Sequence, residues 1–118
     1  MENNPVTIEE YVDNAPGNLY KFLFWEIRNR ILAKYITGIE ENVVFKGYVS
    51  YKKKYDFVSL RLKEDGLFVE TKQPRFSSLG IVHPNDFGTS LDYQMIIKND
   101  ANLKEVMKVI HDSYLQTR

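Results

Sequence analysis

Cysteine is absent from the 118 residues, which excludes disulfides, a thiolate metal site and a cysteine nucleophile. Histidine is scarce: His83 and His111 alone are too few for most metal centres. No apolar run approaches the roughly 18 residues of a membrane span. The acidic start (Glu2, Glu9, Glu10, Asp13) is the wrong charge for the basic head of a secretory signal, so a cytoplasmic domain is expected. Neither sign of charge is in excess, with 16 Lys plus Arg against 16 Asp plus Glu. That balance argues against a generally basic DNA-coating protein and against an acidic tail. Glycine-rich phosphate loops and a G-x-S-x-G elbow are missing too. What is present is apolar: 43% of residues are hydrophobic, with 8 Tyr and 7 Phe spread along the chain, enough for one packed domain.

Zero net charge conceals segregation. Residues 1–13 sum to −4, 14–36 to +3 and 46–63 to +5. The acidic residues 1–15 read as an N-terminal segment. Leu19, Leu23, Ile27, Ile31 and Tyr35 then recur at steps of four, with Phe22, Phe24, Trp25, Leu32 and Ile36 widening the stripe, which predicts a helix over 19–36. Pro16 suits its first turn and Gly38 its stop.

Residues 43–72 carry three β-rich stretches, 43–51, 55–63 and 67–72. A lysine turn separates the first two, and Glu64-Asp65-Gly66, a hairpin signal, separates the last two. Pro74, Gly80, Pro84 and Gly88 make 73–90 a long loop. A fourth strand is predicted over 91–98. A closing helix follows over 100–115, capped by Asn99 or Asp100, with Leu103, Val106, Met107, Ile110 and Tyr114 at helical spacing. The predicted fold class is α+β, in the order α-β-β-β-loop-β-α, with both helices on one face of a mostly antiparallel four-stranded sheet.

Period-two alternation directs Val43, Phe45, Val49, Val58, Leu60, Leu62, Leu67, Val69, Tyr93, Met95 and Ile97 toward the helices. The opposite face then shows Lys46, Tyr48, Phe57, Arg61, Lys63, Phe68, Glu70, Gln94 and Ile96 among others. This mixture of aromatics and bases has the chemistry of platforms on which single-stranded nucleic acid stacks; the competing reading is cross-strand packing on a solvated face. Tyr51-Lys52-Lys53-Lys54-Tyr55 is the densest positive site. Three lysines on a turn create a local potential that attracts phosphate, although lysines also guard strand edges against pairing.

Glu70-Thr71-Lys72, with Asp56 or Asp65 upstream, has the residue types of a metal-dependent nuclease strand. The composition nevertheless produces about 1.5 acid-x-Lys strings by chance, so the reading ranks last. His83 and Asp86 in the long loop have the types of a base and its orienter. His111 lies off the apolar stripe of the closing helix and reads as solvated.

A series of strings in chain order adds to this: Thr7-Ile8-Glu9-Glu10-Tyr11, the helix from Leu19 to Leu32, Tyr48-Val49-Ser50-Tyr51-Lys52, Lys54-Tyr55-Asp56-Phe57, Asp92-Tyr93-Gln94-Met95-Ile96-Ile97 and Val109-Ile110-His111-Asp112-Ser113-Tyr114. Together they resemble a small domain family labelled "predicted transport protein", found C-terminal to PD-(D/E)xK-type endonuclease and GmrSD-like restriction modules. Of that family's Gly-His-Trp-Gly-Asn-Gly-Asp string, only Gly88 and Asp92 have counterparts here. The resemblance implies an accessory domain beside nucleases and defence systems; it supplies no reaction.

The expectation is therefore a non-catalytic accessory domain, with no catalytic residue, cofactor or metal, whose partner is nucleic acid, another phosphate-bearing ligand or a nuclease-type protein. Lys52, Lys53 and Lys54 would contact phosphate, Tyr51, Tyr55 and Tyr48 would stack, and Lys46 and Arg61 would extend the basic surface. The alternative is a protein–protein or homo-oligomerisation domain using Phe57, Phe68 and Ile96.

Overall fold

The computed structural model describes residues 6–44, 47–76, 80–85 and 89–118. Residues 8–14 of the acidic segment form a helix, α1 (Ile8–Asn14). A capping box starts it: Thr7 Oγ1 accepts from the Glu10 N–H at 3.1 Å, and Glu10 Oε1 accepts from the Thr7 N–H at 3.2 Å. Ile8, Tyr11 and Val12, one helical face, are buried. Glu9 and Glu10 of the acidic segment are thus first-turn residues, placed where the helix dipole favours them.

A close passage follows. Gly17 sits at φ +84°, and a Cβ there would lie 2.2 Å from the Lys63 carbonyl oxygen, so this crossing requires glycine. Helix α2 (Lys21–Lys34) buries Leu23, Phe24, Ile27 and Ile31. The stripe is narrower than the four-step pattern predicts: Leu19, Phe22 and Ile36 are exposed. Residues 18–20 form a tighter 3₁₀ turn that swings Leu19 away, and the helix ends at Lys34, so Ile36 leaves the stripe.

The predicted strand 43–51 is in fact a hairpin, β1 (Glu40–Val44) and β2 (Tyr48–Lys52), turned at Gly47, whose N–H donates to the Val44 carbonyl at 2.9 Å. Next come β3 (Asp56–Lys63) and β4 (Gly66–Thr71), joined at Glu64-Asp65 as the hairpin signal predicts. The long loop contributes a two-residue strand, β5 (His83–Pro84), which pairs with β6 (Tyr93–Ile97). Helix α3 (Leu103–Thr117) closes the chain. The sheet among the described residues is therefore six-stranded and antiparallel, ordered β1-β2-β3-β4-β6-β5, rather than four-stranded. Among the described residues no helix is long and apolar enough to cross a membrane.

The core lies between the sheet and α2 and α3. Val49, Val58, Leu60, Leu62, Leu67, Val69, Met95 and Ile97 are buried as the alternation predicts. Phe57 departs from it. Tyr51 pairs with Val58 but Lys52 with Asp56, so Phe57 is an extra residue in β3. The resulting bulge directs it to the helix side, between the rings of Tyr35 (5.3 Å) and Tyr114 (5.1 Å). Ser113 locks α3 onto this place: its hydroxyl donates to the Phe57 carbonyl at 2.6 Å and accepts from the Lys72 N–H at 3.0 Å.

The register also orders the far face. Asn42, Ser50, Ser59, Glu70, Gln94 and His83 are successive cross-strand partners, one polar row across the sheet. Its centre is buried. The Glu70 carboxylate receives Ser59 Oγ at 2.9 Å, Arg61 Nε at 2.7 Å and Arg61 Nη2 at 3.4 Å.

Candidate anion-binding surface

The β2–β3 turn presents Lys53, Lys54 and Tyr55 to solvent, and Tyr55 is 61% exposed. The Lys54 ammonium lies 5.6 Å from the Tyr55 ring centre, a cation beside a flat surface. Lys52 is partly engaged, 3.8 Å from Glu40 on the neighbouring strand. An exposed pair of this kind holds its charges loosely.

Other predicted site residues lie elsewhere. Tyr51 is fully buried, and its hydroxyl donates to Glu41 Oε2 at 2.5 Å, while Arg28 binds the same carboxylate through Nε at 2.8 Å and Nη2 at 3.1 Å. Burial, then the Glu41 carboxylate, pushes the Tyr51 phenol well above its ordinary range. It is a core residue and offers no ring face to a ligand. Tyr48 and Arg61 belong to the far face of the sheet: the guanidinium lies 4.9 Å from the Tyr48 ring centre and is ion-paired to Glu70. Lys46 lies outside the described residues. Of the alternative interface residues, Phe57 and Phe68 are buried and Ile96 is 40% exposed.

In place of the sheet face, the turn meets α3. Lys53 Nζ donates to the Tyr114 hydroxyl at 3.4 Å and lies 5.9 Å from its ring centre. Tyr114 stacks near-parallel on His111, and His111 on Tyr35, each pair 6.0 Å apart. Tyr35 and His111 Nδ1 share a hydrogen bond of 2.9 Å. Burial holds the Tyr35 phenol protonated, far above its ordinary value. Burial, then the charge of Lys34, pushes His111 below its ordinary value, with Arg118 adding to the effect and Asp112 opposing it. The histidine read as solvated is thus a neutral, hydrogen-bonded member of an aromatic stack.

His111 opens onto a groove of about 430 Å³ between α2 and α3. Arg30 and Lys34 line it from α2; Lys104, Lys108 and His111 line it from α3, with Phe76, Met107 and Leu115 as its apolar part. Arg30 is paired to Glu26 at 2.8 Å and Lys108 stands 3.9 Å from Glu105. Lys34 and Lys104 have no ion pair among the described residues. The groove's acid, Asp112, is already engaged by the Arg75 backbone N–H (3.1 Å), Arg75 Nε (3.1 Å) and Gln116 Nε2 (2.8 Å). Burial opposes its ionisation, but those donors outweigh it and hold its carboxyl below the usual range.

These α3 bases were missed in the sequence, although Lys104, Lys108 and His111 follow i, i+4, i+7 spacing on one helical face. The arrangement offers cations and exposed ring faces, which suits an anion with several charges.

The nuclease residues do not converge. Glu70 is saturated by Ser59 and Arg61, and Lys72 Nζ donates to the Ser90 carbonyl at 2.7 Å. Asp56 begins β3, while Asp65 stands in the turn beyond its other end. Among the described residues no three His, Asp or Glu side chains gather as a metal site. His83 is exposed on the short β5, and its proposed partner Asp86 lies outside the described residues. Comparison with models of known families, with curated proteins and with solved structures matched none of them, so the functional reading rests on this geometry.

Proposed function

We propose that this chain is a non-catalytic accessory domain that binds single-stranded nucleic acid along a surface running from the lysine turn to the α2–α3 groove. The contact of Lys53 with Tyr114 carries the reading, because it makes two separate basic features continuous through the Tyr114–His111 stack. Tyr55 supplies a ring face for a base, worth roughly 1–3 kcal/mol in stacking, and Lys34, Lys53, Lys54 and Lys104 track phosphates. An association with nuclease or defence proteins is the biological setting that the family resemblance implies.

Anisotropy of a labelled single-stranded 12-mer against salt tests this. Four phosphate contacts give a log–log slope of about −3, at about −0.7 per contact, and Lys53→Ala with Lys54→Ala reduces it by about 1.4. A flat slope, or no binding at low salt, overturns the proposal.

A further inference from the structure

We infer that the groove between α2 and α3 is a subsite for one nucleotide unit, its base on the apolar floor and its phosphate among the cations. This deepens the reading above and rests on it. The apolar floor and the charged rim carry the inference together. Phe76, Met107 and Leu115 supply the apolar part of the lining, with His111 one turn from both Met107 and Leu115 on α3. The Phe76 ring is 36% exposed, with the Lys108 ammonium 5.8 Å from its centre. An uncovered aromatic flanked by a cation is a stacking platform for a nucleobase, whose faces are apolar and polarisable.

Around the floor stand Lys34 and Lys104, free of ion pairs among the described residues, and the His111 ring, whose Nδ1 is engaged by the Tyr35 hydroxyl. Two unpaired ammonium groups match a phosphomonoester, as at a strand's end or in a free mononucleotide, which carries about −1.5 to −2 at neutral pH. A fatty-acid carboxylate brings one charge and no flat face; inorganic phosphate brings the charge and leaves the floor bare. The volume of about 430 Å³ falls in the range of small-ligand clefts. Asp112, the acid in the lining, is held by Arg75 and Gln116 and does not meet the phosphate as a free carboxylate.

The test is a titration of the full chain with adenosine 5′-monophosphate, followed by amide chemical shifts, with adenosine, inorganic phosphate and decanoate as separate arms. The mononucleotide should shift Lys104, Lys108 and His111 and bind about tenfold or more tightly than either adenosine or phosphate alone. Lys104→Glu and Phe76→Ala, both on exposed side chains, should each weaken it by about tenfold. Equal affinity for phosphate and mononucleotide, or tighter binding of decanoate, overturns the inference. Binding of the 12-mer without mononucleotide binding overturns the groove subsite and leaves the wider reading standing. Mononucleotide binding without 12-mer binding supports the subsite and overturns that wider reading.

Discussion

Replacing Glu70 by alanine should cost the fold about 3–5 kcal/mol, the amount expected when one member of a buried ion pair is removed. The Glu70 side chain is 1% exposed and that of Arg61 16%, with Nε to Oε2 at 2.7 Å. Alanine removes the carboxylate that both Arg61 and the Ser59 hydroxyl address, leaving their donors to find new acceptors inside the sheet's far face. The single tryptophan, Trp25, packs edge-on against Phe24 at 5.5 Å and reports unfolding by fluorescence. With a urea m-value of about 2 kcal/mol/M, the midpoint should fall by about 1.5–2.5 M. The double variant Arg61→Met with Glu70→Leu removes both charges and should recover at least about half of the loss, because the penalty comes mainly from the stranded charge. A Glu70→Ala loss below about 1 kcal/mol, or a double variant no more stable than the single one, would show that no buried charge is stranded at Arg61.

Three other perturbations test separate parts of the structure. Ser113→Ala strips an acceptor from the Lys72 N–H and a donor from the Phe57 carbonyl at a fully buried position; urea unfolding should show a loss of about 2–4 kcal/mol. Gly17→Ala places a Cβ 2.2 Å from the Lys63 carbonyl oxygen at φ +84°, so its melting temperature should fall by several degrees, at about 1 kcal/mol or more. His111 titrates below its ordinary 6.5 in the folded chain, so the unfolded chain takes up that proton first. Its contribution to stability is complete above pH 6.5 and is lost as pH falls through the folded value. His111→Gln should therefore flatten the pH dependence of the melting temperature between about pH 7 and 5, and an unchanged profile would contradict the assignment.

Local chemistry was legible in the sequence wherever it acts over a few residues. Asp65-Gly66 marks its hairpin, and Val58, Leu60 and Leu62 alternate into the core as period two requires. The Gly47 turn was not legible, because apolar and aromatic residues flank it closely and the stretch 43–51 reads as one strand. One bulge moved Phe57 from the far face to the core, an event that no period announces. Tyr51 looked like a stacking ring beside lysines; its burial depends on Glu41 and Arg28, which long-range pairing brings to its hydroxyl. Glu70 looked solvated until Arg61 met it across the sheet. Of the candidate site, the lysine turn was visible as composition. The groove was not, since Lys34 and His111 are separated by the whole sheet in sequence and become neighbours only when α2 and α3 pack together.

Amide chemical-shift mapping of the full chain with a single-stranded oligonucleotide at low salt shows whether the lysine turn and the α2–α3 groove bind as one surface. If the turn and the groove are one surface, Lys53, Lys54 and Tyr55 shift together with Lys104, Lys108, His111 and Tyr114, at a common affinity. Shifts confined to the turn, or centred on Tyr48, Arg61 and Phe68 on the far face of the sheet, would contradict it.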